Sequence, residues 1–281
     1  MKNIVVGIDF SNSAMTAMRH AVSMAIRSKA TLHLVWVKTP GVKHNSEEME
    51  DDSAYLNHVQ TRMQEWVKLC KDESPESQVN SVILEGKVHT AVTHYANNLP
   101  DSIIVMGAHG ASGFEEGYIG NNAFRLINDA NVPVLIMREN IQITRDLIKI
   151  FVPIDLSFET LQKMRMTIKL AKYFAAQIHL FGVNYPNSAE TRHIINVQLR
   201  HAADMCDEAN VRYIVENMNV NNDVCNTILK HAKEVDANLI TIMREEQETD
   251  FTASRNMRQI LSTCPMPLLI IPNKNAFSVA K

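Results

Sequence analysis

A chain of 281 residues is long enough for one large domain or for two of about 140. With 46% hydrophobic and 21% charged residues, a net charge of −3 and a pI near 6.4, it has the make-up of a globular protein in water and no basic field for nucleic acid or an anionic membrane. The four cysteines (Cys70, Cys206, Cys225, Cys264) form no C-x-x-C pair, no apolar run nears the ~20 residues of a membrane span, and the first strand leaves no room for a signal peptide. Free thiols and a cytoplasmic protein are therefore expected.

The run Asn3-Ile4-Val5-Val6-Gly7-Ile8-Asp9 reads as a buried strand ending in an acid. Ser11 or Ser13 can cap the helix that follows, whose inward positions are predicted as Met15, Met18, Ala21, Val22, Ala25 and Ile26. Thr31 to Val37 is a second strand, and residues 40 to 52 form a polar, acidic loop. Tyr55 to Cys70 is a helix with Leu56, Val59, Met63, Trp66, Val67 and Cys70 facing in. Val79 to Leu84 is a third strand, and Thr90 to Ala96 lies in a short third helix.

The most informative stretch is Ile103 to Met137. A buried strand, Ile103 to Met106, leads into glycines at 107, 110, 113, 117 and 120, five of the nine in the protein. A helix over Asn121 to Asn128, with Ala123, Leu126 and Ile127 on one face, precedes a last strand over Val132 to Met137. Strand, glycine loop and helix aim bare backbone N–H groups and a helix N-terminus at an anion, and phosphate is the obvious one. Five strands alternating with four helices predict a parallel, doubly wound sheet.

The pattern then repeats. Ile150-Phe151-Val152-Pro153-Ile154-Asp155-Leu156-Ser157 lies 146 positions after Ile4-Val5-Val6-Gly7-Ile8-Asp9-Phe10-Ser11. The same shift carries Leu32-His33-Leu34 onto Ile178-His179-Leu180, and it narrows to 134 between Pro133-Val134-Leu135-Ile136 and Pro267-Leu268-Leu269-Ile270. Two similar domains are expected, over residues 1–140 and 146–281, joined near Glu139 to Asp146. After the second copy's fourth strand, Asn238 to Met243, the chain reads Arg244-Glu245-Glu246-Gln247-Glu248-Thr249-Asp250, and no glycine follows Gly182. Side chains block close backbone approach there and the acids would repel phosphate, so this half reads as a degenerate copy.

The spacing Gly107-x2-Gly110-x9-Gly120, between two buried strands and with Asp9 ending the first, resembles the nucleotide loop of the universal stress protein family. The resemblance covers nearly the whole chain, in a tandem form, but its ligand motif only the first half. It implies an α/β fold of two Rossmann-like doubly wound domains, each a five-stranded parallel sheet with helices on both faces. It further implies ATP or another adenine nucleotide as ligand, with Mg2+ beside the phosphates. Gly7, Asp9, Val37 and Met106 would meet the adenosine, and Gly107, His109, Gly110, Gly120, Asn121 and Asn122 the phosphates. Asn121-Asn122 replaces the family's Ser/Thr pair; an Asn amide can still donate to phosphate, though from a longer side chain. Family members that keep the loop bind ATP and some hydrolyse it slowly, whereas others bind none.

Each of these residues has a plainer role to weigh. Asp9 can merely cap the turn into Ser11–Ser13, the glycines can be a surface loop, His109 a solvated turn residue, and Glu115-Glu116 solvated acids rather than holders of a divalent ion. The 11 histidines form no tight metal pair, and no nucleophile elbow, P-loop Gly-Lys-Ser/Thr or G-x-G-x-x-G after the first strand is present. No residue has a claim as catalytic base, so the expectation is a ligand-reporting regulator in the stress response, at most a slow ATPase. The alternative is an interaction scaffold of the same fold that binds no nucleotide. Single-domain members commonly pair through their fifth strands. The two copies are accordingly expected to form an intramolecular pseudo-dimer in which 132–137 meets 267–272, with further homodimerisation through helical faces.

Overall fold

The computed structural model describes residues 1–40, 52–108, 119–138, 147–220, 223–244 and 259–273. In the first half, β1 (Asn3–Gly7), β2 (Thr31–Lys38), β3 (Val79–Glu85), β4 (Ser102–Gly107) and β5 (Val134–Met137) alternate with α1 (Asn12–Ser28), α2 (Asp52–Glu73), α3 (Val88–Asn97) and α4 (Asn121–Asp129). In the second half, β6 (Lys149–Ile154) is followed by a 3-10 turn (Phe158–Leu161) and α5 (Gln162–Phe174). There follow β7 (Gln177–Asn184), α6 (Ala189–Glu208), β8 (Tyr213–Asn219), α7 (Val224–Glu234), β9 (Leu239–Met243), a helical segment over 259–263 and β10 (Leu268–Ile271).

The strands form one ten-stranded sheet in the order β3-β2-β1-β4-β5-β10-β9-β6-β7-β8. Every neighbouring pair is parallel except the central one, where β5 and β10 run antiparallel with Leu268, Leu269 and Ile270 opposite Ile136, Leu135 and Val134. The expected meeting of the two fifth strands is thus present within the chain. These strands are buried on both faces, as a row of Val, Leu and Ile requires, and each covers an edge that would otherwise be open to a stranger. Pro133 and Pro267 stand just ahead of the strands, where their missing N–H costs no ladder bond, and their carbonyls accept from Ile104 and Ile240.

Helices α1, α2, α5 and α6 pack on one face of the sheet, and α3, α4, α7 and the 259–263 segment on the other. Each hydrophobic layer runs unbroken across the β5–β10 junction, because buried residues of both halves belong to each. Polar ties reinforce it: Lys169 Nζ donates to both carboxylate oxygens of Asp101 at 2.7 Å, and Arg27 lies 5.0 Å from the centre of the Phe174 ring.

Helix α1 starts where Ser11 Oγ accepts from the Ala14 N–H, and stops at Lys29 in the left-handed conformation (φ 55°). Its inward stripe is Ala14, Ala17, Met18, Ala21, Val22, Met24 and Ala25, small residues that bring the helix close to the sheet. Ile26, expected to face in, is 52% exposed. Four residues past Val22 the side chain has advanced ~40° beyond one already at the margin of the stripe. All four cysteines are free and buried, and burial pushes the thiols of Cys70 and Cys264 up to about 12 and that of Cys206 up to about 11. No helix among the described residues is long and apolar enough to cross a membrane. The expected join over 139–146 and the polar loop over 41–51 lie outside the described residues.

Candidate functional site

In the first half the connections out of β1 and β3 leave in opposite directions, so the sheet reverses its order between β1 and β4. A crevice opens at the carboxyl ends of strands at such a point, and that is where open α/β sheets take ligands. Gly7 ends β1 and Gly107 ends β4, one strand over, with Val6 opposite Val105. Asp9 follows β1, exposed, its Oδ1 accepting from the Ser11 N–H at 3.0 Å and from Ser11 Oγ–H at 2.6 Å. The carboxylate is therefore held by the turn that caps α1. Phe10 between them has φ 63°, a left-handed conformation costing a non-glycine residue roughly 1–2 kcal/mol. Its ring is clamped by Arg62, 4.0 Å above its centre, and edge-on by Trp66 at 5.6 Å.

The start of α1 also decides why residue 107 is glycine. A Cβ there would stand 2.2 Å from Ser13 Oγ and 2.9 Å from the Ser13 carbonyl carbon. The close approach of α1 to the end of β4 excludes any side chain. Gly7 is less constrained, since its Cβ would meet Met106 at an ordinary 3.7 Å. Met106 and Val37 are both buried in the layer that holds α3 and α4, forming an apolar floor on one side of the crevice.

Beyond β4 the Ala108 N–H donates to the Met137 carbonyl at 2.7 Å, and the Ala108 carbonyl accepts from the Gly120 N–H at 2.8 Å. The two ends of the glycine stretch are thereby pinned together at the mouth of the crevice. Gly120 is the N-cap of α4 and supplies no side chain to its orphan N–H groups. Asn121 and Asn122 occupy the exposed first turn, which holds no acid. An uncapped helix N-terminus with two amide side chains beside it favours a bound anion electrostatically. Of the residues singled out in the sequence, Gly7, Asp9, Val37, Met106, Gly107, Gly120, Asn121 and Asn122 all lie at this end of the first half of the sheet. His109 and Gly110, with Glu115 and Glu116, lie outside the described residues.

The second half keeps one part of this arrangement. Asp155 Oδ1 accepts from the Ser157 N–H at 2.9 Å and its Oγ–H at 2.6 Å, the same turn as at Asp9. The turn is therefore structural in both copies, and any ligand role of Asp9 comes in addition to it. The other part is gone. Met243 pairs with Ile271 as Gly107 pairs with Met137, and the Arg244 N–H donates to the Ile271 carbonyl as Ala108 does to Met137. Arg244 thus stands where the glycine loop begins in the first half. Sequence reasoning missed its role, and a lone cation ahead of an acidic run was the only signal. It also missed Ser13, Phe10 and Arg62, whose parts depend on contacts between distant elements.

Among the described residues no group of three or more His, Cys, Asp or Glu side chains is arranged to hold a metal ion. The sequence profile described as the universal stress protein family matches residues 1–138. A universal stress protein of Methanocaldococcus jannaschii is 28% identical over 142 residues, 49% of this chain and 82% of that protein. Among solved structures, a universal stress protein from Archaeoglobus fulgidus superposes over 97% of this chain and 98% of its own, with a TM-score of 0.74 at 13% identity. A protein from Pseudomonas aeruginosa described as a putative universal stress protein covers 97% of this chain and 93% of its own, with a TM-score of 0.64 at 16% identity. At those identities the likeness is one of fold, and it extends over both halves.

Proposed function

The chain belongs to the universal stress protein family through its first half, and on that premise we propose that this half, residues 1–140, binds ATP or a related adenine nucleotide. The repeat over 146–281 is then a packing partner without a nucleotide site. The observation that carries the reading is the Ala108–Gly120 hydrogen bond, which turns the uncapped start of α4 toward the crevice between β1 and β4. Asp9 would accept from the adenosine, the Val37–Met106 floor would face the base, and the backbone N–H groups after Gly107, with Asn121 and Asn122, would take the phosphates. His109 and Gly110 join that set by their place in the glycine spacing. A Mg2+ ion would travel with the triphosphate, held in large part by the phosphate oxygens. The role is that of a regulator in which bound nucleotide changes the surface offered to a protein partner.

A scaffold that binds no nucleotide is the second reading, and the observation in its favour is the Asn121-Asn122 pair where the family has Ser/Thr. Isothermal titration with ATP separates the two. One site per chain is expected, Asn121→Ser should retain affinity, and Asn121→Asp should lose at least about tenfold because a carboxylate would face the phosphates. No heat of binding, or two sites per chain, overturns the proposal.

A further inference from the structure

Helix α4 has little of its own to finish it, the Ala130 N–H meeting only the Leu126 carbonyl. It is nine residues long, carries no basic residue in its last turn, and ends at Ala130 in an extended conformation rather than a glycine cap. Its final carbonyls are instead met by a side chain from the other half of the chain. Arg244 Nη1 donates to the carbonyls of Ile127, Asn128 and Ala130 at 3.1, 2.9 and 2.5 Å. A half-buried guanidinium at a helix C-terminus both satisfies orphan acceptors and complements the negative end of the helix dipole. The opposite end of the same helix, Gly120, Asn121 and Asn122, is the end turned to the crevice.

The exchange is made in the other direction as well. Arg138, directly after β5, donates through Nη2 to the carbonyls of Leu261 and Ser262 at 2.7 and 2.5 Å, finishing the helical segment over 259–263. Because β5 and β10 are antiparallel, the carboxyl end of each half lies beside the returning segment of the other, and each arginine crosses the junction to a helix end. Only the Arg244 brace falls on the helix that faces the crevice.

We infer that Arg244 is a positioning residue for the phosphate end of the nucleotide site, acting from the degenerate half through α4. The inference rests on the nucleotide reading above. It also gives the second half a purpose beyond packing. The position that begins the glycine loop in one copy holds, in the other, the cation that keeps the first copy's loop helix in place. A short helix of about 13 Å transmits displacement at one end to the other. Releasing its C-terminus would loosen the N–H groups aimed at phosphate while leaving Asp9, Val37 and Met106, on other elements, undisturbed.

The test is titration of the full chain, unaltered and with Arg244→Ala, against ATP and against adenosine, which lacks the phosphates. Arg244→Ala should weaken ATP by about tenfold and leave adenosine within twofold, and Arg244→Lys, which keeps the cation, should recover part of the loss. Equal weakening of both ligands means general damage, and unchanged ATP affinity means no positioning; either overturns the inference. Should Arg244→Ala not fold, Arg244→Gln, similar in size and neutral, carries the same comparison. Amide hydrogen exchange without ligand distinguishes the two ways of failing. Faster exchange from Phe124 to Ala130 in the variant, together with no ATP binding by the unaltered chain, overturns the nucleotide reading and this inference with it. Unchanged exchange overturns the brace alone.

Discussion

Gly107 shows how one side chain can be forbidden by a residue almost a hundred positions away. Its absent Cβ makes room for Ser13, and the obstruction includes backbone as well as the hydroxyl. Gly107→Ala should therefore destabilise the fold by about 1–3 kcal/mol, the usual cost of overpacking a tight contact. Urea unfolding measures it, and a variant as stable as the parent would show that α1 can move aside cheaply. His20, on the inner side of α1, is a second case. Burial alone lowers its pKa to about 4 from an ordinary 6.5, and its Nε2 has no partner among the described residues. The neutral ring is favoured in the fold, so the contribution is fully present above pH 6.5 and is lost as pH falls through 6.5 toward 4, where only the unfolded chain takes up the proton. Stability should fall over that window, and His20→Met should remove close to one proton from the slope. An unchanged slope would mean that His20 titrates freely in the fold. His33 and His179, also shifted down by burial, account for part of what remains.

At the scale of elements, the strands and helices were largely legible because each carries its own period. The apolar runs at Ile4–Val6, Leu32–Val37, Ile103–Met106 and Leu268–Ile271 stand where strands are found, and the helix ends fall within a few residues of the positions expected from caps and spacing. Ile26 was misplaced because helical spacing does not say how wide the buried stripe is; only the alanine-lined approach to the sheet decides that. The central strand β5 is the other element with consequences. Residues 1–138 produced alone would leave β5, four buried aliphatic residues, as an open edge. An isolated first half is therefore expected to self-associate through that edge, either as a specific pair or as aggregate. Sedimentation of residues 1–138 checks this, and a stable monomer would show that the edge does not need its partner.

For the whole molecule, the sequence by itself determined that there are two copies of one α/β unit and which of them keeps a glycine loop. Those are local or repeated facts: periodicity, the 146-residue echo and the loss of glycine after Gly182 need no third dimension. The candidate site was readable to the same depth, since Asp9, Met106, Gly107 and Gly120 mark the ends of elements that a doubly wound sheet must bring to one crevice. What only the tertiary structure decided are the contacts between elements far apart in the chain. Ser13 against Gly107, Arg62 on Phe10 and the crossed braces of Arg138 and Arg244 leave no periodic trace. An arginine reaches several ångströms from its backbone in a direction its neighbours in sequence do not specify. Where that guanidinium ends is settled by which helix carbonyls the antiparallel junction leaves within its reach.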